Sequence, residues 1–322
     1  MFIKKHIAPD IDILPPRFDS VFKSIMTRDE EESRIALMDL ISSVIGRKVV
    51  EVTILNNELA TTDIMEIQER FDLNCKIDDG ELVNIEMQMS PMEEVDANMK
   101  NLKKRISYYA TDLYSSQGVK GKKNYQNLAK VYQITFVDFS LFPERGQFMN
   151  HFQLRNQDGE LFTDDINIIT IELSKINDLL NKSVKELTPI EQWCLFFKYV
   201  DDTSKREVIN KIIDEKEAIA MAGAVLQTVS KDEHERAKYR SRKKFINDLT
   251  SDINTAEMRG MEKGRQEGRQ EGRQEGRQEG RQEEAEAIKQ VIKLIMQGTD
   301  ILEIANTTGY SAEKVQELKD LL

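Results

Sequence analysis

Cysteine and histidine are scarce in this chain of 322 residues, which has two cysteines and three histidines. Cys75 and Cys194 are too few for a disulfide framework, and the scattered histidines cannot supply a Cys/His zinc cluster. This composition is typical of a protein that works in a reducing compartment. We therefore expect a cytoplasmic location.

Long apolar runs are also missing. No stretch approaches the ~20 apolar residues that a bilayer span needs. The first twenty residues contain Asp10, Asp12 and Arg17 where a secretory leader would have an apolar segment. We therefore expect neither secretion nor membrane insertion.

The chain is poor in hydrophobic residues (39%) and has a net charge of -11. The low apolar share indicates that part of the chain is not packed into a core. The negative charge argues against a protein that coats nucleic acid nonspecifically, because neutralising phosphates requires a basic surface. It does not exclude a local basic groove.

The most regular feature is the tetrapeptide Gly-Arg-Gln-Glu, which occurs five times in succession over residues 264–283. The repeat has no apolar side chain, so it cannot bury a core and must be a helix, a linker or both. Glycines inside a helix, and like charges four residues apart, make an isolated helix marginal. A semi-flexible spacer is the favoured interpretation; the alternative is close helix packing along the glycines in a homo-oligomer.

The repeat divides the chain, and the patterns on either side suggest four segments: a mixed α/β domain over 1–185, a helical region over 186–258, the repeat as a helix or linker over 259–284, and a small helical module over 285–322. Ser33 to Ile45 predicts a core helix ended by Gly46, and Thr188-Pro189-Ile190-Glu191 has the capping-box arrangement of a helix start. Further predictions are a buried strand within 128–142, a hairpin over 151–173, and short helices over 300–306 and 311–321.

Residues 71–89 give the sharpest local pattern, two alternating apolar and polar runs separated by Asp78-Asp79-Gly80. This predicts a β-hairpin with one buried face. A three-residue loop with Gly80 in the left-handed conformation pairs Ile77 with Glu81 and keeps both apolar rows on one face. A two-residue loop would set apolar against polar residues.

In this register the carboxylates of Asp72 and Glu86 lie opposite each other, with Gln88 two positions along the same face. Paired carboxylates repel unless a cation lies between them, and oxygen ligands suit Mg²⁺. On the pattern alone, an ordinary solvated polar face is the favoured interpretation. A metal site is the alternative.

An Asp on one strand, followed by Glu-x-Gln on the next, resembles the D…(D/E)-x-K core of the PD-(D/E)XK nuclease superfamily. The surroundings resemble more specifically the Rpn family of recombination-promoting nucleases and transposases, over nearly the whole chain. The further matching segments are Asp19-Ser-Val-Phe22-Lys23, Ile85-Glu-Met-Gln88, Arg105-x-x-Tyr108-Tyr109 and Ile171-Glu-Leu-x-Lys175, followed by the glycine-rich tail.

The resemblance implies a restriction-endonuclease-like α/β fold, a mixed sheet flanked by helices with an all-helical region after it. It also implies a DNA endonuclease in which Asp72 and Glu86 bind Mg²⁺, or Mn²⁺, to activate a water. Gln88 takes the place of the family's lysine; it can position a water but cannot supply a cation. Lys23 or Lys76 could compensate.

Other residues have two open interpretations. Asp19 is either a further site carboxylate or a helix cap. Arg105 and Tyr109, four residues apart, are expected to be site or core residues. Lys100, Lys103, Lys104 and, in a second cluster, Lys120, Lys122 and Lys123 could contact DNA phosphates, although any single lysine is more simply a solvated charge. The basic run 236–244 is either a backbone contact or a charged helix.

Three functions follow from these patterns. The first is a Mg²⁺-dependent DNA endonuclease with little sequence specificity, linked to recombination or transposition. The second is a catalytically weak DNA-binding or protein-interaction module that forms homo-oligomers through its C-terminal helices. A transposase of the RNase H type lacks a third carboxylate on a defined strand. The last predicted helix is net negative, which favours protein contact over DNA contact for the tail.

Overall fold

The structure, a computed structural model, describes residues 6–55, 73–89, 95–118 and 125–322. It divides into two compact units, Met1–Asp248 and Leu249–Leu322. Among the helices of the described residues, none is both long and apolar enough to cross a membrane.

The chain begins with two helices, α1 (Asp19–Met26) and α2 (Glu31–Ile45). The predicted core helix over Ser33 to Ile45 is confirmed within α2. Gly46 ends it in the left-handed conformation, at φ 76°, and its N–H donates to the Ser42 carbonyl. Glycine adopts this conformation without the steric cost of a Cβ atom.

In the part of the chain that the structure describes, six strands form one mixed sheet, in the order β1-β2-β3-β4-β6-β5. Their bounds are β1 (Val52–Ile54), β2 (Leu73–Ile77), β3 (Leu82–Gln88), β4 (Val131–Val137), β5 (Met149–Arg155) and β6 (Leu161–Glu172). The central strands β3, β4 and β6 are parallel, while β1, β2 and β5 pair antiparallel to their neighbours. Helix α3 (Val95–Ser115) lies between β3 and β4 in the chain, as a parallel crossover requires. The predicted α/β fold class is confirmed.

The helices that come directly after the sheet are α4 (Pro189–Tyr199), α5 (Arg206–Glu215), α6 (Glu217–Lys231) and α7 (Glu233–Met296). The capping box predicted for α4 is confirmed. The Thr188 N–H donates to Glu191 Oε2 at 2.8 Å, and the Thr188 hydroxyl accepts from the Glu191 N–H. Burial alone would raise the pKa of Glu191, but hydrogen bonds from Lys182 and Thr188 hold it below its ordinary value.

The two faces of the sheet differ in chemistry. One face is apolar and forms a single core with α1, α2 and the helices after the sheet, including Trp193, Phe196 and Phe197. The rings of Phe22 and Phe136, from α1 and β4, both pack against Phe197 at centroid distances of 5.7 and 5.5 Å. Because residues on both sides of position 185 share this core, the predicted boundary at 185/186 does not separate two folding units.

The opposite face of the sheet is lined by polar side chains and is covered by α3. A small apolar cluster of Ile106, Val137 and Leu141 joins α3 to β4 on this face. We call the two faces the apolar face and the polar face. Along each strand their residues alternate, because successive side chains point to opposite sides of a pleated sheet.

The C-terminal unit contains the end of α7 with α8 (Ile301–Thr308) and α9 (Ala312–Asp320), close to the predicted helices. Val291, Ile304 and Val315 form its small core. The repeat is helical and exposed within α7, and a Cβ atom added at any of its five glycines would meet no described atom within 4 Å. The repeat is thus a helix; its role in oligomerisation stays a prediction.

Candidate functional site

The predicted hairpin is present as β2 and β3, and its register is as predicted. The Ile77 N–H donates to the Glu81 carbonyl at 2.8 Å, and Leu73 lies opposite Ile85. Gly80 in the loop has φ 84°, the left-handed conformation that the three-residue loop demands. Asp72 lies outside the described residues, so its pairing with Glu86 stays a prediction.

The prediction that this hairpin buries a single face is wrong for β3. Asn84 has no exposed surface and Glu86 is 3% exposed, although both lie on the face opposite Val83 and Ile85. The physical reason is the position of β3 in the sheet. It is an inner strand between β2 and β4, and α3 covers its polar face. A solvated polar face is therefore ruled out as the explanation for Glu86.

A hydrogen-bonded row of polar side chains lies beside Glu86. Asn84 Nδ2 donates to Gln133 Oε1 at 2.7 Å, and Gln133 Nε2 donates to Thr135 Oγ1 at 3.2 Å. Thr135 is the residue of β4 that lies opposite Glu86 in the parallel register. We call Asn84, Gln133 and Thr135 the amide row. The first of these hydrogen bonds joins β3, the strand that carries Glu86, to β4, the second links two residues of β4, and all three residues of the row are buried.

Sequence reasoning missed the amide row. Its signal was present in β4, where Gln133 and Thr135 occupy alternate positions of a run that is otherwise apolar or aromatic. A polar residue at every second position of a buried strand indicates one polar face. The sequence analysis predicts only a buried strand here, without a polar face.

Gln88 is the last residue of β3 and is half-buried. Its carbonyl accepts from the Asp138 N–H at 3.1 Å, so the carboxyl ends of β3 and β4 stay joined just beyond the last paired residues. Glu86 and Gln88 share the polar face and lie at this end of the sheet. Open α/β sheets commonly bind ligands at the carboxyl ends of their strands.

Neither candidate for a relocated lysine is placed beside Glu86. Lys76 is exposed and pairs across the hairpin with Leu82, four residues or roughly 13 Å along the strand from Glu86. Lys23 is on α1, whose buried residues pack on the apolar face, on the other side of the sheet from Glu86.

Asp19 forms an ion pair within the fold. Its Oδ2 accepts from Arg242 Nε and Nη2 at 3.1 and 3.0 Å, which ties α1 to α7. Phe18, not Asp19, holds the N-cap position of α1. Arg236 of the same basic run pairs with Asp12 at 2.9 Å, so this part of α7 uses two of its charges in contacts within the chain.

The predicted residues of α3 have different environments. Tyr109 is 9% exposed and belongs to the packed side of α3, whereas Arg105 and Lys104 are exposed. Lys103 Nζ lies 4.2 Å from the centroid of the Phe142 ring. Lys122 and Lys123 lie outside the described residues. Tyr109 is therefore a core residue, one of the two predicted roles, whereas Arg105 is turned to solvent and its part in a site stays a prediction.

A charged cluster that the sequence did not reveal lies at the end of β4. Arg17 contacts Asp138 at 3.3 Å and Asp201 at 2.6 Å, and donates to the Lys198 carbonyl. Burial raises the pKa of Asp138, opposed by Arg17, and burial lowers the pKa of Lys198. Arg17 is more than 100 residues away in the chain from each of its partners, so no local pattern marks the cluster. The cluster joins the strand end to α4 and the turn after it.

The donor chemistry around Glu86 fits a divalent metal. A carboxylate and the side-chain amides of Asn84 and Gln88 offer oxygen atoms, the ligands that Mg²⁺ and Mn²⁺ prefer. Within residues 6–55, 73–89, 95–118 and 125–322, no group of three or more His, Cys, Asp or Glu side chains could hold a metal ion. A site at Glu86 therefore requires Asp72, which lies beyond these ranges, or water and phosphate oxygens.

A mixed sheet with a helix crossover, and a buried Glu at the end of an inner strand, is consistent with a nuclease-type α/β domain. The family model "PD-(D/E)XK nuclease family transposase" matches residues 16–256. The chain therefore belongs to this family of nuclease-type transposases. A search of curated proteins and a search of solved structures found no match. The family match ends before the repeat, so it covers less of the chain than the resemblance suggested.

The same match bears on domain organisation. It runs without interruption across position 185, as the shared core of the apolar face does. The sheet and helices α4 to α6 thus lie within one family match and within one compact unit.

Proposed function

We propose that this chain is a metal-dependent DNA endonuclease that hydrolyses phosphodiester bonds with little sequence specificity, in DNA recombination or transposition. The observation that supports this most directly is Glu86, a buried carboxylate at the end of an inner strand in the Glu-x-Gln motif of a PD-(D/E)XK family member. An Mg²⁺ or Mn²⁺ ion would be held by Asp72 and Glu86.

When bound there, the ion would lower the pKa of a water and stabilise charge on the phosphate. The chain's own groups set the geometry. Glu86 lies on an inner strand whose backbone is paired with β2 on one side and β4 on the other, which limits how far its backbone can move during the reaction. Gln88 has a side-chain amide that can orient a water by hydrogen bonds, but it is not a base. Lys23 and Lys76 have no part in this proposal, given their positions.

The test is a plasmid-nicking assay with Mg²⁺ or Mn²⁺ that compares the wild type with Asp72→Asn and Glu86→Gln. We expect each change to reduce nicking roughly a thousandfold, because it removes charge that acts on the transition state. Asp79→Asn is the matched control: it removes a carboxylate from the same hairpin, and Asn tolerates the left-handed conformation found at this position. Nicking that survives both site changes would refute the proposed site.

A second candidate is a catalytically weak DNA-binding module that forms homo-oligomers through its C-terminal helices. The observation in its favour is Gln88, which lacks the positive charge of the family's lysine. In this case the wild type would bind DNA in a salt-dependent way without cleaving it. Light scattering on chains with and without residues 259–322 measures the oligomer directly, and an unchanged number of subunits would remove the role of the repeat.

A further inference from the structure

Two positive side chains from different elements meet at a pair of aromatic rings. Lys103 of α3 lies with Nζ 4.2 Å from the Phe142 centroid, and the Arg145 guanidinium lies 5.5 Å from the same ring. Arg145 is also 5.8 Å from the ring of Phe152, which packs against Phe142 at 5.4 Å. Cations are attracted to the faces of aromatic rings. The two rings therefore hold the positive charges of Lys103 and Arg145 close together, although these charges repel each other.

The loop that carries Phe142 is held by a buried carboxylate. Glu172, at the end of β6, has no exposed surface. Its Oε2 accepts from the backbone N–H groups of Leu141 and Phe142 at 2.9 and 3.2 Å and from the Ser140 hydroxyl at 3.3 Å. Its Oε1 accepts from Asn150 Nδ2 at 3.3 Å.

Lys175 completes this arrangement. Its Nζ lies 2.7 Å from Glu172 Oε2 and donates to the carbonyls of Phe142 and Arg145, both at 2.7 Å. We call Glu172 and Lys175 the loop clamp. A buried ion pair adds little net stability, because desolvating two charges offsets their attraction. What this pair does is hold both ends of the segment from Phe142 to Arg145 in one conformation.

The cation pair lies on the same face of the sheet as Glu86. Phe142 packs on the cluster of Val137 and Leu141 beneath α3. In the register of the parallel strands, Gln88 is level with Val137, and Val137 is level with Glu172. Two strand spacings separate β3 from β6, roughly 10 Å. That separation equals the rise of about three base pairs along the axis of a duplex.

The charge around this point is mostly positive. Lys100, Lys104 and Arg105 are exposed on α3. Glu144 lies 4.0 Å from Arg145, but both side chains are about half exposed or more, so solvent screens the contact. A phosphate can displace such a weak partner, and an arginine can bind it with two parallel hydrogen bonds.

We propose that Lys103 and Arg145 contact the phosphate backbone of a nucleic-acid strand whose scissile phosphate lies at Glu86, and that the loop clamp positions Arg145 for this contact. This inference rests on the proposed nuclease function. It adds the path of the strand, from the end of β3 across β4 to the end of β6, and it assigns Glu172 and Lys175 as positioning residues.

The test measures binding of a DNA duplex to the full chain in EDTA at several salt concentrations, so that cleavage does not enter. For the double variant Lys103→Gln/Arg145→Gln we expect affinity to fall about tenfold or more, and the slope of log affinity against log salt to flatten by about 1.8, the value for two phosphate contacts. Arg155→Gln is the matched control. It removes an exposed arginine of β5 that bonds to the Gly159 carbonyl and to Gln153. An unchanged slope in the double variant overturns the proposal.

The loop clamp is tested by Glu172→Gln/Lys175→Met, which removes both charges and leaves the net charge unchanged. If the clamp positions Arg145, this variant flattens the salt slope by about 0.9, the value for one phosphate contact. The same two changes flatten the slope less when they are added to the Lys103→Gln/Arg145→Gln variant, because the Arg145 contact is already lost. A purely structural clamp would lower the melting temperature with the slope unchanged, which overturns the positioning role. If the clamp variant does not fold, Lys175→Gln is compared with Lys185→Gln, which removes the same charge from an exposed position. A slope that flattens more in Lys175→Gln supports the positioning role, and equal slopes overturn it.

The outcomes separate this inference from the proposed function. A wild type that nicks plasmid while the double variant keeps its salt slope sustains the endonuclease and overturns the phosphate contact. The opposite result is a wild type that binds duplex but never nicks it with Mg²⁺ or Mn²⁺, together with a flatter salt slope in the double variant. That result sustains the phosphate contact and overturns the endonuclease. A wild type that does not bind DNA in EDTA overturns the contact.

Discussion

The two faces of the sheet are built from alternate residues of the same strands, yet they differ in almost every property. On the apolar face, Ile85, Phe136 and Ile171 enter one large core with helices from before and after the sheet. On the polar face, Asn84 and Thr135 are equally buried but bond to other side chains beneath α3. Burial therefore has a different effect on each face of the sheet. One face supplies stability, and the other holds polar groups in fixed positions.

The difference follows from what each arrangement costs. Burying an apolar side chain stabilises the fold by about 1.5–3 kcal/mol, with little dependence on direction. Burying a polar group costs free energy unless a partner is correctly placed. The polar face thus contributes less to stability than its burial suggests. Its bonded groups instead hold the neighbourhood of Glu86 in one geometry.

The largest expected effect is on chains cut within the first unit. A chain ending at residue 185 loses Trp193, Phe196 and Phe197, which cover the apolar face, and we expect it not to fold. A chain ending at 248 keeps the whole unit and is expected to unfold cooperatively. Far-ultraviolet circular dichroism with thermal unfolding measures both. A cooperative transition in the shorter chain would show that the sheet folds without these helices.

The next largest effect is a difference in unfolding free energy between substitutions at two neighbouring residues of β4. Phe136→Ala on the apolar face should lower the free energy of unfolding by about 3–5 kcal/mol, because it leaves a cavity beside Phe197. Thr135→Val on the polar face leaves the buried Gln133 amide without its 3.2 Å acceptor and should cost about 1–3 kcal/mol. Urea denaturation measures both values. Equal costs would mean that the faces do not differ in their contribution to stability.

The amide row gives a smaller and more specific prediction. Gln133→Leu leaves the Asn84 amide without its 2.7 Å acceptor and should cost about 1–3 kcal/mol. Adding Asn84→Leu should recover part of that loss, since both partners are then apolar. A double-mutant cycle in urea gives the coupling energy. Additive costs would contradict a hydrogen bond between the two side chains.

The smallest effect is a pH dependence at the end of β4. Because burial raises the pKa of Asp138 above its ordinary 3.8, the folded protein binds this proton more tightly than the unfolded chain. The contribution of Asp138 to stability is therefore greatest at low pH and falls as pH rises from about 3.8 through the folded pKa. Asp138→Asn should remove this decline, as measured by unfolding free energies at pH 3 to 7. Asp158→Asn, on an exposed turn, is the control, and an identical pH profile for both variants would contradict the assignment.

Some elements could be predicted from the sequence because short-range physics specifies them. The hairpin register followed from period-two alternation and a three-residue loop with Gly80, and the start of α4 followed from Thr188 and Glu191. The family resemblance, carried by Glu86 and Gln88 in their motif, also lay in the sequence.

Other parts of the site could not be predicted. Whether Lys76 reaches Glu86 depends on where each lies along its strand, and the structure places them at opposite ends of the hairpin. The environments of Arg105 and Tyr109 depend on which side of α3 meets the sheet. The amide row required knowing that β3 and β4 are parallel neighbours, a long-range pairing that leaves no mark near either strand.

The sequence alone determined the local elements: helix starts and ends, the hairpin loop, the helical tail and the family motif. These depend on backbone conformation and on side chains a few residues apart. The tertiary structure decided which faces are buried, joined the sheet to the helices after residue 185, and brought Arg17 to Asp138 and Lys103 to Phe142. Contacts of that kind form between distant segments, and their free energy depends on how whole elements pack, which no short stretch of sequence specifies.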